Sequence, residues 1–83
     1  MTQTTEDRIR DYIFRRFPVA EAQGLANNDP LVGVLDSLAV LGLVGFIEPE
    51  FRIELRPSDL TDENFESIAT ISRLVDRLSQ AVG

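Results

Sequence analysis

From Leu31 to Ile47 the chain is apolar except at one point, the pair Asp36-Ser37. The run is shorter than the roughly 20 residues that a membrane-spanning helix needs, and the pair interrupts it. A chain of 83 residues has room for one core, so this segment must be a helix of that core and not a second domain. On a helical wheel Val40, Leu43, Val44 and Ile47 fall at i, i+3, i+4 and i+7, the natural inward face. The opposite side reads Leu38, Leu41, Gly42, Gly45 and Pro49, which is apolar and flat. Pro49 has no N–H and its ring crowds the carbonyl of Gly45, so the helix is predicted over 37–50, ending or bending within Gly45–Glu50.

Two further stripes have the same period. Thr4-Thr5-Glu6-Asp7 supplies a cap and first-turn acids, and Ile9, Tyr12, Ile13 and Phe17 follow on one face of a helix over 5–17. Ser67 caps a last helix over 67–80, with Ile68, Ile71, Leu74, Val75 and Leu78 inward. Between Leu60 and Phe65 one short helical turn is expected at 61–65, capped by Thr61 and turning Phe65 inward. Phe51 to Leu55 reads as an extended connector that buries Phe51 and Ile53, and Arg56-Pro57-Ser58-Asp59 as a turn. From Pro18 to Asp36 no period holds, and Gly24, Asn27-Asn28-Asp29-Pro30 and Gly33 punctuate a long loop over 18–36. Such a length counts against an ordinary bundle unless Leu25, Leu31, Val34 and Leu35 pin the loop to the core. The expected fold class is all-α: one domain over 1–83, three main helices, one short helix and a long first loop.

Composition removes many chemistries. Cysteine and histidine are both absent, which takes away disulfides, thiol nucleophiles, soft metal ligands and the commonest general base. The net charge of −6 repels nucleic acid and anionic membranes, so neither is expected as a partner. Seven acids between Glu48 and Glu66 face only Arg52 and Arg56; singly they read as a solvated face, together as a field that attracts basic proteins. The N-terminal residues lack the pattern of a secretory signal, and a cytoplasmic monomer is expected.

Asp36-Ser37 admits two readings. Either residue can cap the helix, and on the pair alone that is the better account. A serine there also sits at the positive end of the macrodipole, where an attached anion such as a phosphodiester is stabilised. No base in this chain is an obvious activator for it, so a reaction at Ser37 needs another protein. Glu48 with Glu50, or Asp62 with Glu63, makes a carboxylate pair on paper, but no nucleophile–base pair accompanies either. No acidic metal loop with a central glycine is present, and no metal is expected.

"GVLDSLAVL" resembles the attachment motif of the acyl carrier proteins. The match continues through "FIEPEFRIEL", with its Phe51-x-Ile53 pair, and through "LTDENFESIATISRLV", with its Phe65-x-Ser67 step. "NNDPLVGVLDSL" resembles the end of that family's long first loop, which meets the objection to a loop of this length. The resemblance spans Ile9 to Leu78. It implies that a phosphopantetheinyl transferase adds 4′-phosphopantetheine from coenzyme A to Ser37. Asp36 would lie beside the transferase's Mg²⁺, and Leu38 on the recognition surface. Acyl groups would then ride as thioesters on the arm, supplied by an acyltransferase or a loading ligase and passed to downstream synthases or transferases. The carrier itself would not be an enzyme.

Many fatty-acid carriers place acids along the outer face of the second helix. Here Ala39, Gly42 and Gly45 stand there and acids resume at Glu48. The expectation is therefore a carrier of polyketide- or fatty-acyl-type specialised biosynthesis, docking through Leu38, Leu41, Gly42, Gly45 and Glu48. Alternatives are an aminoacyl or D-alanyl carrier loaded by an adenylating ligase, and, more remotely, a helical adaptor that carries nothing.

Overall fold

The computed structural model describes residues 3–18 and 24–82. Among these residues three α-helices are described in full: α1 (Thr5–Arg16), α2 (Ser37–Phe51) and α3 (Ile68–Val82). A 3₁₀ turn at Pro57–Asp59 lies between α2 and α3, and no strand occurs among the described residues. The fold class is the all-α bundle that the three stripes require.

Each helix buries the stripe that its period specifies. Ile9 and Ile13 of α1, Leu43 and Ile47 of α2, and Ile68, Ile71, Leu74 and Val75 of α3 are buried together. Tyr12, Phe17, Val40, Val44 and Leu78 pack half-buried around them. Local chemistry sets the ends. Thr4 and Asp7 exchange side-chain-to-backbone hydrogen bonds in a capping box at the start of α1. Ser67 and Thr70 do the same at the start of α3, with Ser67 Oγ accepting from the Thr70 N–H at 3.2 Å. Polar links join the helices at the surface: Arg8 pairs with Glu50 across α1 and α2, and Thr5 Oγ1 donates to Asp76 of α3 at 2.8 Å.

One expectation about the elements needs correcting. α2 does not stop within Gly45–Glu50 but runs on to Phe51, through Pro49. Gly45 and Pro49 both lie on the exposed side, where the carbonyl deprived of its N–H partner is open to water. The helix ends instead at Arg52, in the left-handed conformation (φ 56°), and the N–H groups of Arg52 and Ile53 both return to the Glu48 carbonyl. Phe51 is accordingly helical and half-buried, and only Ile53 of the connector is fully buried.

At 61–65, where one short helical turn is expected, the chain makes a single turn, closed by Phe65 N–H donating to the Thr61 carbonyl at 3.2 Å. Polar side chains support the turn at its start. Thr61 Oγ1 accepts from Asn64 N–H at 3.1 Å, and Asn64 Nδ2 donates to the Asp59 carbonyl at 2.9 Å. Phe65 still turns inward.

The long loop is tied to the core at several points, although its residues 19–23 lie outside the described residues. Leu31 is buried, and Leu25, Val34 and Leu35 pack half-buried against the core. Leu31 N–H donates to the Glu66 carbonyl at 2.7 Å, and Ala69 N–H to the Asn27 carbonyl at 2.9 Å. Arg10 of α1 donates to the Asn27 side chain, so the loop is held from two helices.

Candidate functional site

The loop delivers the chain to α2 through a tight, anchored turn. Val34 and Leu35 N–H groups both return to the Leu31 carbonyl, at 2.9 and 3.0 Å. Gly33 makes that turn at φ +86°, a conformation side-chain-bearing residues rarely adopt. Asp36 follows in an extended conformation as the N-cap of α2. Its Oδ1 accepts the Ala39 N–H at 2.8 Å, and its carbonyl accepts the Val40 N–H at 2.9 Å.

That geometry resolves the ambiguity of the pair. Asp36 performs the capping, so the Ser37 hydroxyl is not spent on it. Ser37 is the first residue of the helix and is exposed, on a base fixed by buried Leu31. Such an arrangement leaves the residue accessible, with helix N–H groups and the macrodipole behind it.

The residues expected on a partner face fall into three settings. Leu38 and Leu41 stand out from α2 at 79% and 62% exposure, and Gly45 has open space where a Cβ would lie. Gly42 is exposed as well, but a Cβ there would come 3.2 Å from the Tyr12 hydroxyl of α1. Glu48 is half-buried, and its carboxylate accepts the Leu55 N–H at 2.9 Å. Glu50 pairs with Arg8, so the two acids answer different partners and make no catalytic couple. Val32, absent from the expected face, is 88% exposed in the turn just before Ser37. Nothing in the aperiodic loop distinguished it from Leu31 beside it.

One further feature was hidden in the sequence. A pocket of about 520 Å³ opens between the turn before α2 and the stretch leading into α3. Leu31, Leu35, Val40 and Phe65 supply its apolar surface, and Asp62, Glu63 and Glu66 stand at its edge. The two sides lie some thirty residues apart in sequence. Among the described residues no group of His, Cys, Asp or Glu is arranged to hold a metal ion. No helix among them is long and apolar enough to cross a membrane.

No protein-family model matches the chain. A curated relative described as "Probable acyl carrier protein PigG", from Serratia sp. (strain ATCC 39006), is 28% identical over 75 residues, covering 88% of this chain and 86% of its own. The similarity to acyl carrier proteins thus holds along nearly the whole chain and agrees with the helical fold. A solved chain described as "Crystal structure of FAD-dependent dehydrogenase" superimposes with a TM-score of 0.73 at 28% identity, covering 82% of this chain and 99% of that one. Since 82% of 83 residues accounts for 99% of it, that chain is only about 69 residues long.

Proposed function

We propose, from the chain's place as a distant member of the acyl carrier protein family, that it carries acyl groups as thioesters on a 4′-phosphopantetheine arm at Ser37. One observation carries the reading: Asp36 takes the helix cap, leaving an exposed serine hydroxyl at the start of α2. The residues present fit the group. Ser37 Oγ would form a bond to the phosphorus next to the pantetheine of coenzyme A, the pyrophosphate link would break, and adenosine 3′,5′-bisphosphate would leave. The serine proton passes to a base of the transferase, since this chain has neither His nor Cys to take it. The resulting phosphodiester anion would be stabilised by the positive end of α2 at Ser37. Asp36 accepts the Ala39 N–H through Oδ1 and is exposed, so its carboxylate would be available to the transferase's Mg²⁺. The arm supplies the thiol; the chain supplies a rigid base, a tether and a surface.

Leu38, Leu41 and Gly45, continued by Val32, form the apolar surface on which the transferase, the loading enzyme and downstream synthases or transferases dock in turn. We place the protein in specialised biosynthesis of polyketide, fatty-acyl or aminoacyl type, in the cytoplasm, as a monomer that is a substrate of its partners and not an enzyme.

The test is to incubate the protein with coenzyme A, Mg²⁺ and a broadly specific phosphopantetheinyl transferase and then weigh it. Gain of one phosphopantetheine, abolished by Ser37→Ala, is the expected result. No gain, or gain that survives the substitution, overturns the assignment in favour of a non-carrier adaptor.

A further inference from the structure

Arg8, Tyr12 and Arg15 fall at i, i+4 and i+7 of α1 and so share one flank of that helix. The first two fix what the flank meets. Arg8 pairs with Glu50, and Tyr12 stacks on Phe46 with its hydroxyl beside Gly42. As α1 advances from Arg8 to Tyr12, its contacts on α2 step back from Glu50 to Phe46 and Gly42, so the two helices run antiparallel. Arg15 is next along the flank, about 4.5 Å further on, which brings it to the level of the first turns of α2. It is exposed, and its Nε donates to the Asp11 carbonyl at 3.3 Å. The ion pairs among the described residues do not use it.

The face of α2 beside Arg15 supplies no charge of its own. The sequence has none between Asp36 and Glu48. Of the acids that follow, Glu48 accepts the Leu55 N–H and Glu50 is answered by Arg8. Asp62, Glu63 and Glu66 stand beyond Val40, and Val40 lies about 200° around the helix from Gly42. The exposed strip of Leu38 and Leu41 is therefore edged by carboxylates on one side and by a guanidinium on the α1 side. Such a strip fits a partner patch that is apolar in the middle and carries a carboxylate at the edge that meets α1. We propose that the transferase that acts on Ser37 docks here with a carboxylate against Arg15, so that α1 takes part in recognition beside α2. The transferase is the occupant because it has to reach the Ser37 oxygen itself, whereas enzymes that act on the thioester meet the far end of the arm. The proposal rests on the carrier reading.

The test measures the rate of arm addition by a broadly specific phosphopantetheinyl transferase while the concentrations of this protein and of coenzyme A are varied in turn. Arg15→Gln is expected to raise KM for the protein about 2- to 5-fold with kcat unchanged, the range that a partly exposed charge pair gives. Arg15→Lys keeps the charge and should recover most of the loss, and high salt should abolish the difference between parent and Arg15→Gln. Arg73→Gln removes the same charge from the exposed side of α3 and should leave KM unchanged. Equal KM values for Arg15→Gln and the parent overturn the role of Arg15. So does an equal rise from Arg73→Gln, a difference that persists at high salt, or a rise in KM for coenzyme A in place of the protein. Failure of the parent to accept the arm overturns the carrier reading instead, so the two failures are distinct.

Discussion

The Tyr12 hydroxyl stands 3.2 Å from the position that a Cβ on Gly42 would occupy. The ring behind it is stacked on Phe46 with centroids 4.5 Å apart, and Phe46 meets Phe51 edge-on at 6.3 Å. Arg8 covers Phe51, its guanidinium 4.6 Å from the ring centroid. Gly42 is exposed but lies beside the end of the Tyr12 side chain, whereas Gly45, three residues later, faces open space. Two glycines that look alike in the sequence have different physical roles.

Substitution separates them. Gly45→Ala gains helix propensity with nothing in its way and should stabilise the fold by about 0.5–1 kcal/mol. Gly42→Ala gains the same propensity but must displace the Tyr12 hydroxyl, and should stabilise less or not at all. Thermal melts of the two variants check this; a change of about 1 kcal/mol moves Tm by about 4–8 °C in a domain of this size. For the same reason Gly45→Glu tests docking cleanly and Gly42→Glu does not.

Arg52 holds a left-handed backbone without being glycine. That conformation costs a side-chain-bearing residue roughly 1–2 kcal/mol, of which part returns because glycine loses more freedom on folding. Arg52→Gly should raise stability by about 0.5–1 kcal/mol, measured by urea unfolding with an unchanged slope. A loss of stability would show that the arginine side chain contributes to the fold.

Asp36 has a structural task and a proposed functional one. Asp36→Ala removes the cap and should cost about 1 kcal/mol, whereas Asp36→Asn keeps an accepting oxygen and should stay close to the parent. Loading by the transferase is expected to fall in both variants, because the charge near Mg²⁺ is gone from each. Normal loading of the stable Asn variant would confine Asp36 to capping.

Ile47 and Leu41 lie on opposite sides of α2, fully buried and 62% exposed. Ile47→Ala should cost about 2–5 kcal/mol through lost transfer energy and the cavity left behind. In a single small core that is most of the net stability, so the thermal transition should broaden or disappear. Leu41→Ala should change stability by less than about 0.5 kcal/mol and weaken partner docking. Equal losses from the two would contradict the division of the helix into an inward and an outward face.

The helices were legible because an apolar stripe at a period of 3.6 has one efficient way to be buried, and Ile9/Ile13, Leu43/Ile47 and Ile71/Leu74/Val75 follow it without exception. At 61–65 the sequence indicated the turn, with Thr61 at its start and Phe65 inward, whereas the tie from Asn64 Nδ2 to the Asp59 carbonyl depended on the backbone conformation between them. Local sequence also brought Asp36 and Ser37 together at a helix start, but which of them caps is a matter of backbone conformation at one residue. Only the tertiary structure parted Gly42 from Gly45, since the difference is a tyrosine on another helix. It alone assembled the pocket, because Leu31 and Glu66 meet through one long-range hydrogen bond across a loop that has no period to read. Periodicity encodes what each segment must bury; where segments meet is decided by packing and by backbone groups that find partners far along the chain.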